Sequence, residues 1–182
     1  MKTMRLPNKT LPLTLEALTD GTIKVNSPKS GMQYTLNGGP KTAVTWFDIT
    51  VKAGDKVAFY GNGTSISAYN GTEIASGTAQ VNVYGNIMSL LDETGFASAT
   101  TLSDKAFYRL FFNNTTLKEA DGLLLPVTTL EDYCYAGMFD GCTSLVTAPE
   151  LPATTLASGC YIAMFSRCTS LVTAPELPAT TL

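Results

Sequence analysis

The residues with the clearest chemical potential in this chain of 182 residues are its cysteines. Cys134 and Cys142 form one pair, Cys160 and Cys168 form a second with the same spacing, and the sequence has no histidine. Zinc ligands usually come in pairs only a few residues apart, completed by further Cys or His. The wider spacing favours buried structural thiols over a disulfide or a metal site. We expect no metal and no cofactor.

Other catalytic side chains are scarce. Without histidine, a Ser or Cys nucleophile lacks its usual general base. The carboxylates that could pair are neighbours in sequence, Asp92 with Glu93 and Glu131 with Asp132. At predicted turns and helix starts such charges are solvated or complement backbone N–H groups. We therefore predict no catalytic residues and no enzymatic activity.

Aromatic side chains offer a different chemistry, the stacking of a ring against a sugar. Trp46, Tyr60 and Tyr69 lie in an N-terminal region of predicted strands and are candidate ligand contacts. The runs VTWFDITV and KVAFY alternate, so about half of their rings are expected to point into a core. Carbohydrate binding by this region is therefore an alternative function.

A long internal repeat organises the C-terminal half. Residues 138–156 read MFDGCTSLVTAPELPATTL and residues 164–182 read MFSRCTSLVTAPELPATTL, a copy 26 residues further on (138 to 164). Self-similarity at such a period indicates stacked supersecondary units. The marker Thr-Thr-Leu ends at Leu102, Leu130, Leu156 and Leu182, at spacings of 28, 26 and 26, so an earlier, diverged unit precedes the copies.

The repeat also predicts candidate contacts that recur on one surface. Thr147 and Glu150 of one copy reappear as Thr173 and Glu176 of the next. We take these four residues as candidate ligand-binding positions, because stacked units place equivalent side chains side by side.

Each unit is predicted to contain a short helix, over 132–141 and 158–167. Cys134, Met138 and Cys142 fall at i, i+4 and i+8, which predicts one buried stripe. The leucines that follow mark an extended side, where successive units would pair strands in parallel. Pro149 and Pro175 cannot donate to such a ladder, so the sheet is predicted to be short or interrupted there.

The N-terminal half has a period of two. Six short runs predict strands, separated by Gly, Asn, Asp and Pro in turns: LTLEAL, TIKV, MQYTL, VTWFDITV, KVAFY and AQVNVY. The predicted organisation is an N-terminal tail (1–10), an all-β sandwich-like domain (11–85), a packed joint (86–96) and the repeats (97–182). The last unit stops at Leu182 in mid-unit, so we expect an open end that frays or meets a neighbouring copy end to end.

The motif MF-x-x-C-x-S-L, followed by Leu-Pro and a further Leu, resembles the leucine-rich repeats of BspA-like surface proteins of gut Bacteroidetes. The resemblance covers about residues 97–182. It implies an α/β leucine-rich-repeat solenoid on a cell-surface or secreted protein without catalytic activity. The implied partners are host extracellular-matrix or cell-surface proteins, or glycans.

Composition and charge argue against several other classes of protein. The net charge is −3 with twelve basic residues spread thinly, which argues against nucleic-acid binding. The N-terminus lacks the apolar run of a secretory signal, and the sequence has no apolar stretch long enough for a transmembrane segment. The leading hypothesis is adhesion or ligand binding; a structural spacer or assembly module, phage- or appendage-related, is the alternative.

Overall fold

The fold is nearly all β, with two sheets, in a computed structural model that describes residues 8–61 and 71–179. Nine strands follow one another along the chain: β1 (Thr14–Ala17), β2 (Gly21–Asn26), β3 (Gln33–Leu36), β4 (Thr42–Ala43), β5 (Ile49–Val51), β6 (Lys56–Tyr60), β7 (Glu73–Ala75), β8 (Val81–Asn86) and β9 (Leu117–Leu124). Short 3₁₀ turns span Ile87–Leu90 and Phe96–Ser98.

The strands form a six-stranded sheet in the order β4-β3-β6-β1-β8-β9 and a three-stranded sheet in the order β5-β2-β7. All pairs are antiparallel except β8 with β9, which is parallel. All six predicted runs contain a strand, and five of them are strand over most of their length. VTWFDITV does not form one continuous strand: only its end belongs to β5, so the alternation over Trp46 and Phe47 predicted the wrong structure there.

Buried polar side chains fix the connection after β8. Asn86, 1% exposed, accepts from the Met88 N–H at 3.0 Å and donates to the Phe96 carbonyl at 3.1 Å. Ser89, fully buried, donates to the Phe59 carbonyl and accepts from the Leu13 N–H, both at 2.9 Å. Because these groups are paired, this segment can be buried at little cost. The boundaries of the predicted domains remain a prediction.

The prediction of an α/β leucine-rich-repeat solenoid is wrong. The described residues contain no α-helix, and 132–141 and 158–167 form consecutive turns. The same turns occupy 103–114, 131–142 and 157–168, which we call turn segments 1, 2 and 3. Each has a positive φ at every fourth residue, listed in order as Lys105, Arg109, Asn113; Tyr133, Gly137, Gly141; and Gly159, Ala163, Arg167. A right-handed helix cannot contain such residues.

Backbone hydrogen bonds in the turn segments alternate in direction. Every second N–H donates to a carbonyl three residues back in its own segment, as Met138 does to Tyr135 at 3.2 Å. The intervening N–H groups donate to the next segment, as Phe111 does to Met138 and Phe139 does to Met164, both at 2.9 Å. Five such bonds join segment 1 to segment 2, and five join segment 2 to segment 3. The result is a stack whose backbone polar groups are satisfied between neighbours.

Side chains directed into the stack form ladders. Phe111, Phe139 and Phe165 stack with ring centroids 5.3 and 5.5 Å apart and planes within 5°. Phe107, Tyr135 and Tyr161 form a second ladder with centroids 5.8 Å apart. The predicted stripe of Cys134, Met138 and Cys142 is fully buried. A four-residue turn period therefore buries the same positions that an α-helix would.

The extended side of the repeats is short, as the prolines predict. We call residues 103–130, 131–156 and 157–182 units 1, 2 and 3, each ending at a Thr-Thr-Leu marker. The diverged unit 1 has no proline in β9, which is an eight-residue strand. Unit 2 contributes single bridges to unit 1, at Thr147 with Glu119 and at Thr155 with Thr129. No described helix has the length and apolar character that crossing a membrane would require.

Candidate functional site

A groove of about 720 Å³ opens between two copies of the sequence VTAPELP, residues 146–152 and 172–178. One backbone hydrogen bond joins the two segments, from the Val172 N–H to the Val146 carbonyl at 3.2 Å. Beyond it, no further backbone bond links them within the described part of the chain. Because Pro149 and Pro175 have no N–H, backbone hydrogen bonding between the two segments ends where the groove begins.

The lining combines apolar walls with two carboxylates. The walls come from alanine, leucine and proline side chains, listed as Ala148, Pro149, Leu151, Pro152, Ala174, Pro175 and Pro178. Glu150 and Glu176 are exposed and are the only charged residues among those lining the groove. Thr173 is exposed and adds a hydroxyl group, whereas the Oγ1 atom of Thr147 is buried, without a hydrogen-bond partner, and does not reach the groove surface. The groove therefore suits a ligand with apolar groups and positive charge.

The structure brings four of the seven predicted ligand-binding residues together. Thr147, Glu150, Thr173 and Glu176 all line this groove. The sequence signal was the repeat itself, which places equivalent side chains on neighbouring units. The apolar walls were missed as site residues, although the two prolines of VTAPELP could have indicated a surface that cannot close by strand pairing.

The two aromatic candidates that the structure describes, Trp46 and Tyr60, lie in different surroundings. Trp46 and Phe47 are 75% and 85% exposed, because residues 45–48 leave the sheet. Tyr60 is half-buried and the Lys41 ammonium lies 4.6 Å from its ring centroid, with Glu93 2.6 Å from that ammonium. The Lys41 ammonium thus occupies one face of the Tyr60 ring. Tyr60 lines a different cavity, of about 580 Å³, and Tyr69 lies outside the described residues.

The four cysteines are free thiols inside the turn stack. Burial raises the pKa of Cys134 to about 12 and raises the pKa of Cys142 further. The Cys142 thiol donates to the Phe111 carbonyl at 3.0 Å and the Cys168 thiol to the Phe139 carbonyl at 3.1 Å. The Cys134 and Cys142 thiols therefore remain protonated at neutral pH and act as small apolar side chains. The Cys142 and Cys168 thiols also bridge neighbouring segments.

The described residues contain no cluster of three or more His, Cys, Asp or Glu side chains arranged for a metal ion. In comparisons with known proteins, no family model, no curated protein and no solved structure matches the chain.

Proposed function

We propose that this chain is a non-catalytic binding protein of the cell surface or of secreted material, and that the groove between 146–152 and 172–178 is its ligand site. The observation on which the proposal rests is the convergence of two equivalent Thr–Glu pairs on one apolar groove. Its volume of about 720 Å³ is in the range usual for ligand sites. The surface location rests on the resemblance of the MF-x-x-C-x-S-L motif to BspA-like proteins.

The chemistry of the lining favours an extended segment of a partner protein, such as a host matrix or cell-surface protein, over a sugar. Apolar side chains of the partner would contact the proline and leucine walls, and its Lys or Arg side chains would meet Glu150 and Glu176. The two carboxylates are equivalent positions of adjacent units. They therefore favour a ligand with basic residues spaced to meet both.

Charge reversal tests this site. Glu150→Lys/Glu176→Lys changes two exposed side chains and is expected to leave the fold intact while weakening binding to immobilised matrix proteins at least tenfold. The matched control is Asp104→Lys/Glu131→Lys, which makes the same change in net charge at exposed positions outside the groove. Equal binding by the two double variants, measured by biolayer interferometry, would contradict the groove as the site.

A carbohydrate site is the second candidate, and the exposed Trp46–Phe47 pair favours it. Two adjacent large apolar rings at 75% and 85% exposure are costly to leave in water without a partner. A glycan array with the full chain and with Trp46→Ala decides between the two sites. Loss of glycan binding in Trp46→Ala alone would assign recognition to the β-sheet region, and a full chain that binds no glycan would exclude it.

A further inference from the structure

The cavity of about 580 Å³ that Tyr60 lines lies on the outer face of the six-stranded sheet, and we call it the sheet cavity. Side chains alternate between the two faces of a strand. Around the start of β1, Leu13 and Leu15 belong to the hydrophobic core, whereas Thr14 between them lines the cavity. The cavity volume is in the range usual for ligand sites. The fold therefore holds a second candidate site, built from the β-sheet instead of the repeats.

The strand register places a small residue at the centre of the sheet cavity. Ala58 of β6 lies opposite Thr14 of β1 and Thr35 of β3. Thr14 in turn lies opposite Tyr84 of β8, so these four residues form one row across the sheet. Tyr60 lies two positions after Ala58 on the same face of β6. Because alanine has only a methyl group, the row has a hollow at its centre, with threonine hydroxyls beside it and tyrosine rings further out.

Hydroxyl groups of the lining are available to a ligand. Among the described residues, neither the Thr35 hydroxyl nor the Tyr60 hydroxyl forms a hydrogen bond, and both oxygen atoms remain accessible to solvent. The Thr14 hydroxyl donates to the Pro12 carbonyl at 2.8 Å and can still accept a hydrogen bond. A ligand that displaces water from the cavity must replace the hydrogen bonds that water makes to these groups. The lining therefore favours a ligand that is itself rich in hydroxyl groups.

The charges around the sheet cavity are balanced. Lys56 is the only charged residue among the described residues that line it. Each cation near the cavity has a carboxylate as neighbour: Lys56 has Glu16 opposite it in the β1–β6 register, Lys41 has Glu93 at 2.6 Å, and Lys52 has Asp55 in the same turn. The surroundings therefore favour a neutral ligand over an ion. The groove of the repeats differs in this respect, because two carboxylates line it.

We propose that the sheet cavity binds a neutral saccharide. The Thr35 and Tyr60 hydroxyls and the Lys56 ammonium hydrogen-bond to hydroxyl groups of the sugar. The tyrosine rings contact its apolar C–H groups, and the hollow at Ala58 gives a sugar ring room to approach the sheet. The site includes neither the groove nor the Trp46–Phe47 pair, so the proposal depends on neither of them.

Saccharide titrations followed by amide NMR test the site. The isotope-labelled full chain is titrated separately with the neutral disaccharides cellobiose, maltose, lactose, mannobiose and chitobiose, and with sialyllactose as a charged counterpart of lactose. We expect at least one neutral disaccharide to give saturable shifts at the amides of Thr35, Ala58 and Tyr60, with a Kd below about 10 mM. Sialyllactose is expected to bind no more tightly than lactose, because the cavity has no unbalanced cation to attract its carboxylate.

Variants of the chain make the test specific. Ala58→Leu fills the hollow and is expected to abolish saccharide binding. Lys56→Gln changes an exposed side chain, so it keeps the fold, and it is expected to weaken binding about tenfold. The matched control is Lys24→Gln, an exposed position on a strand of the three-stranded sheet, which should bind like the unchanged chain. Trp46→Ala should also bind like the unchanged chain.

Four results would overturn the proposal. They are no saturable shift with any neutral disaccharide up to about 10 mM, binding of sialyllactose alone, equal binding by Lys56→Gln and Lys24→Gln, and loss of binding in Trp46→Ala. The double variant Glu150→Lys/Glu176→Lys separates this site from the groove, because it should weaken binding to matrix proteins and leave saccharide binding unchanged. Loss of saccharide binding in that double variant would place the sugar in the groove and contradict the sheet cavity as the site.

Discussion

Units 2 and 3 have almost the same sequence and the same backbone, yet they differ in burial. Phe139 is fully buried and Phe165 only half-buried; Leu151 is 8% exposed and Leu177 is 48% exposed. The difference arises because unit 2 lies between two neighbouring units, whereas unit 3 has one neighbour among the residues that the structure describes. Burial in this region is therefore decided by stacking partners, and equivalent substitutions in the two copies should have unequal effects.

The positions at which the copies diverge have a structural cause. A side chain at Gly141 would collide with the Asn113 side chain of the preceding unit. Arg167, at the equivalent position of unit 3, lies over that glycine, and its guanidinium donates to Asp140 at 3.0 Å and approaches Asn113 at 3.4 Å. The unit beneath thus explains the glycine at 141, and the ion pair between units 2 and 3 explains Asp140 and Arg167.

The largest difference in stability between equivalent substitutions is expected when one stacked aromatic ring is removed from unit 2 or from unit 3. Phe139→Ala removes a fully buried ring stacked on both faces and should cost about 3–5 kcal/mol in the free energy of unfolding. Phe165→Ala removes a half-buried ring stacked on one face and should cost about 1–2 kcal/mol. Urea denaturation of both variants measures the difference. Equal losses would show that stacking order does not set burial.

A second test exchanges the divergent residue. Gly141→Arg should destabilise the chain by about 2 kcal/mol, since it adds a clash with Asn113 and a side chain at positive φ. Asn113→Gly in the same chain removes the clashing side chain and should recover a large part of the loss. Additive effects in this double-mutant cycle would contradict a direct steric contact between the two positions.

A smaller effect is expected where one copy has glycine and the other alanine at positive φ. Gly137, at φ 60, becomes Ala163, at φ 54, in the next unit. Gly137→Ala should destabilise by about 1–2 kcal/mol, because the new Cβ meets Arg109 Cγ at 3.2 Å and left-handed φ disfavours it. Ala163→Gly relieves the same strain and should stabilise by about 0.5–1 kcal/mol. Thermal unfolding with opposite signs for the two changes would confirm the turn geometry.

These residues show what the sequence could and could not predict. Period-two patterns located most strands of the N-terminal half, and the repeat located the paired Thr–Glu positions of the groove. The helix prediction failed because the four-residue spacing of Cys134, Met138 and Cys142 buries one stripe in an α-helix and also in the observed run of four-residue turns. The distinguishing signal was present as Gly137 and Gly141, four residues apart at positions of positive φ. The strand β9 and the exposure of Trp46 depend on tertiary pairing, which local patterns do not specify.

The smallest effect on stability near neutral pH is expected at Cys134, whose equivalent position in unit 1 is occupied by Ala106. Burial raises the pKa of Cys134 from 9.0 to about 12, so the unfolded chain loses this proton first. Its contribution to stability is complete below pH 9 and is lost as the pH rises toward 12. Cys134→Ala, which copies Ala106 of unit 1, should flatten the fall in urea midpoint between pH 9 and 11. An unchanged slope would show that this thiol is not protected by folding.

The comparison between the two copies is tested most directly by amide hydrogen exchange of the unmodified chain. The central claim is that alternate N–H groups of each turn segment donate to the next segment. It predicts slow exchange at Tyr133, Gly137 and Phe139 and fast exchange at the equivalent Gly159, Ala163 and Phe165, while Cys160, Ile162 and Met164 stay protected by their own turns. Uniform protection throughout residues 159–168, as in an α-helix, would contradict it.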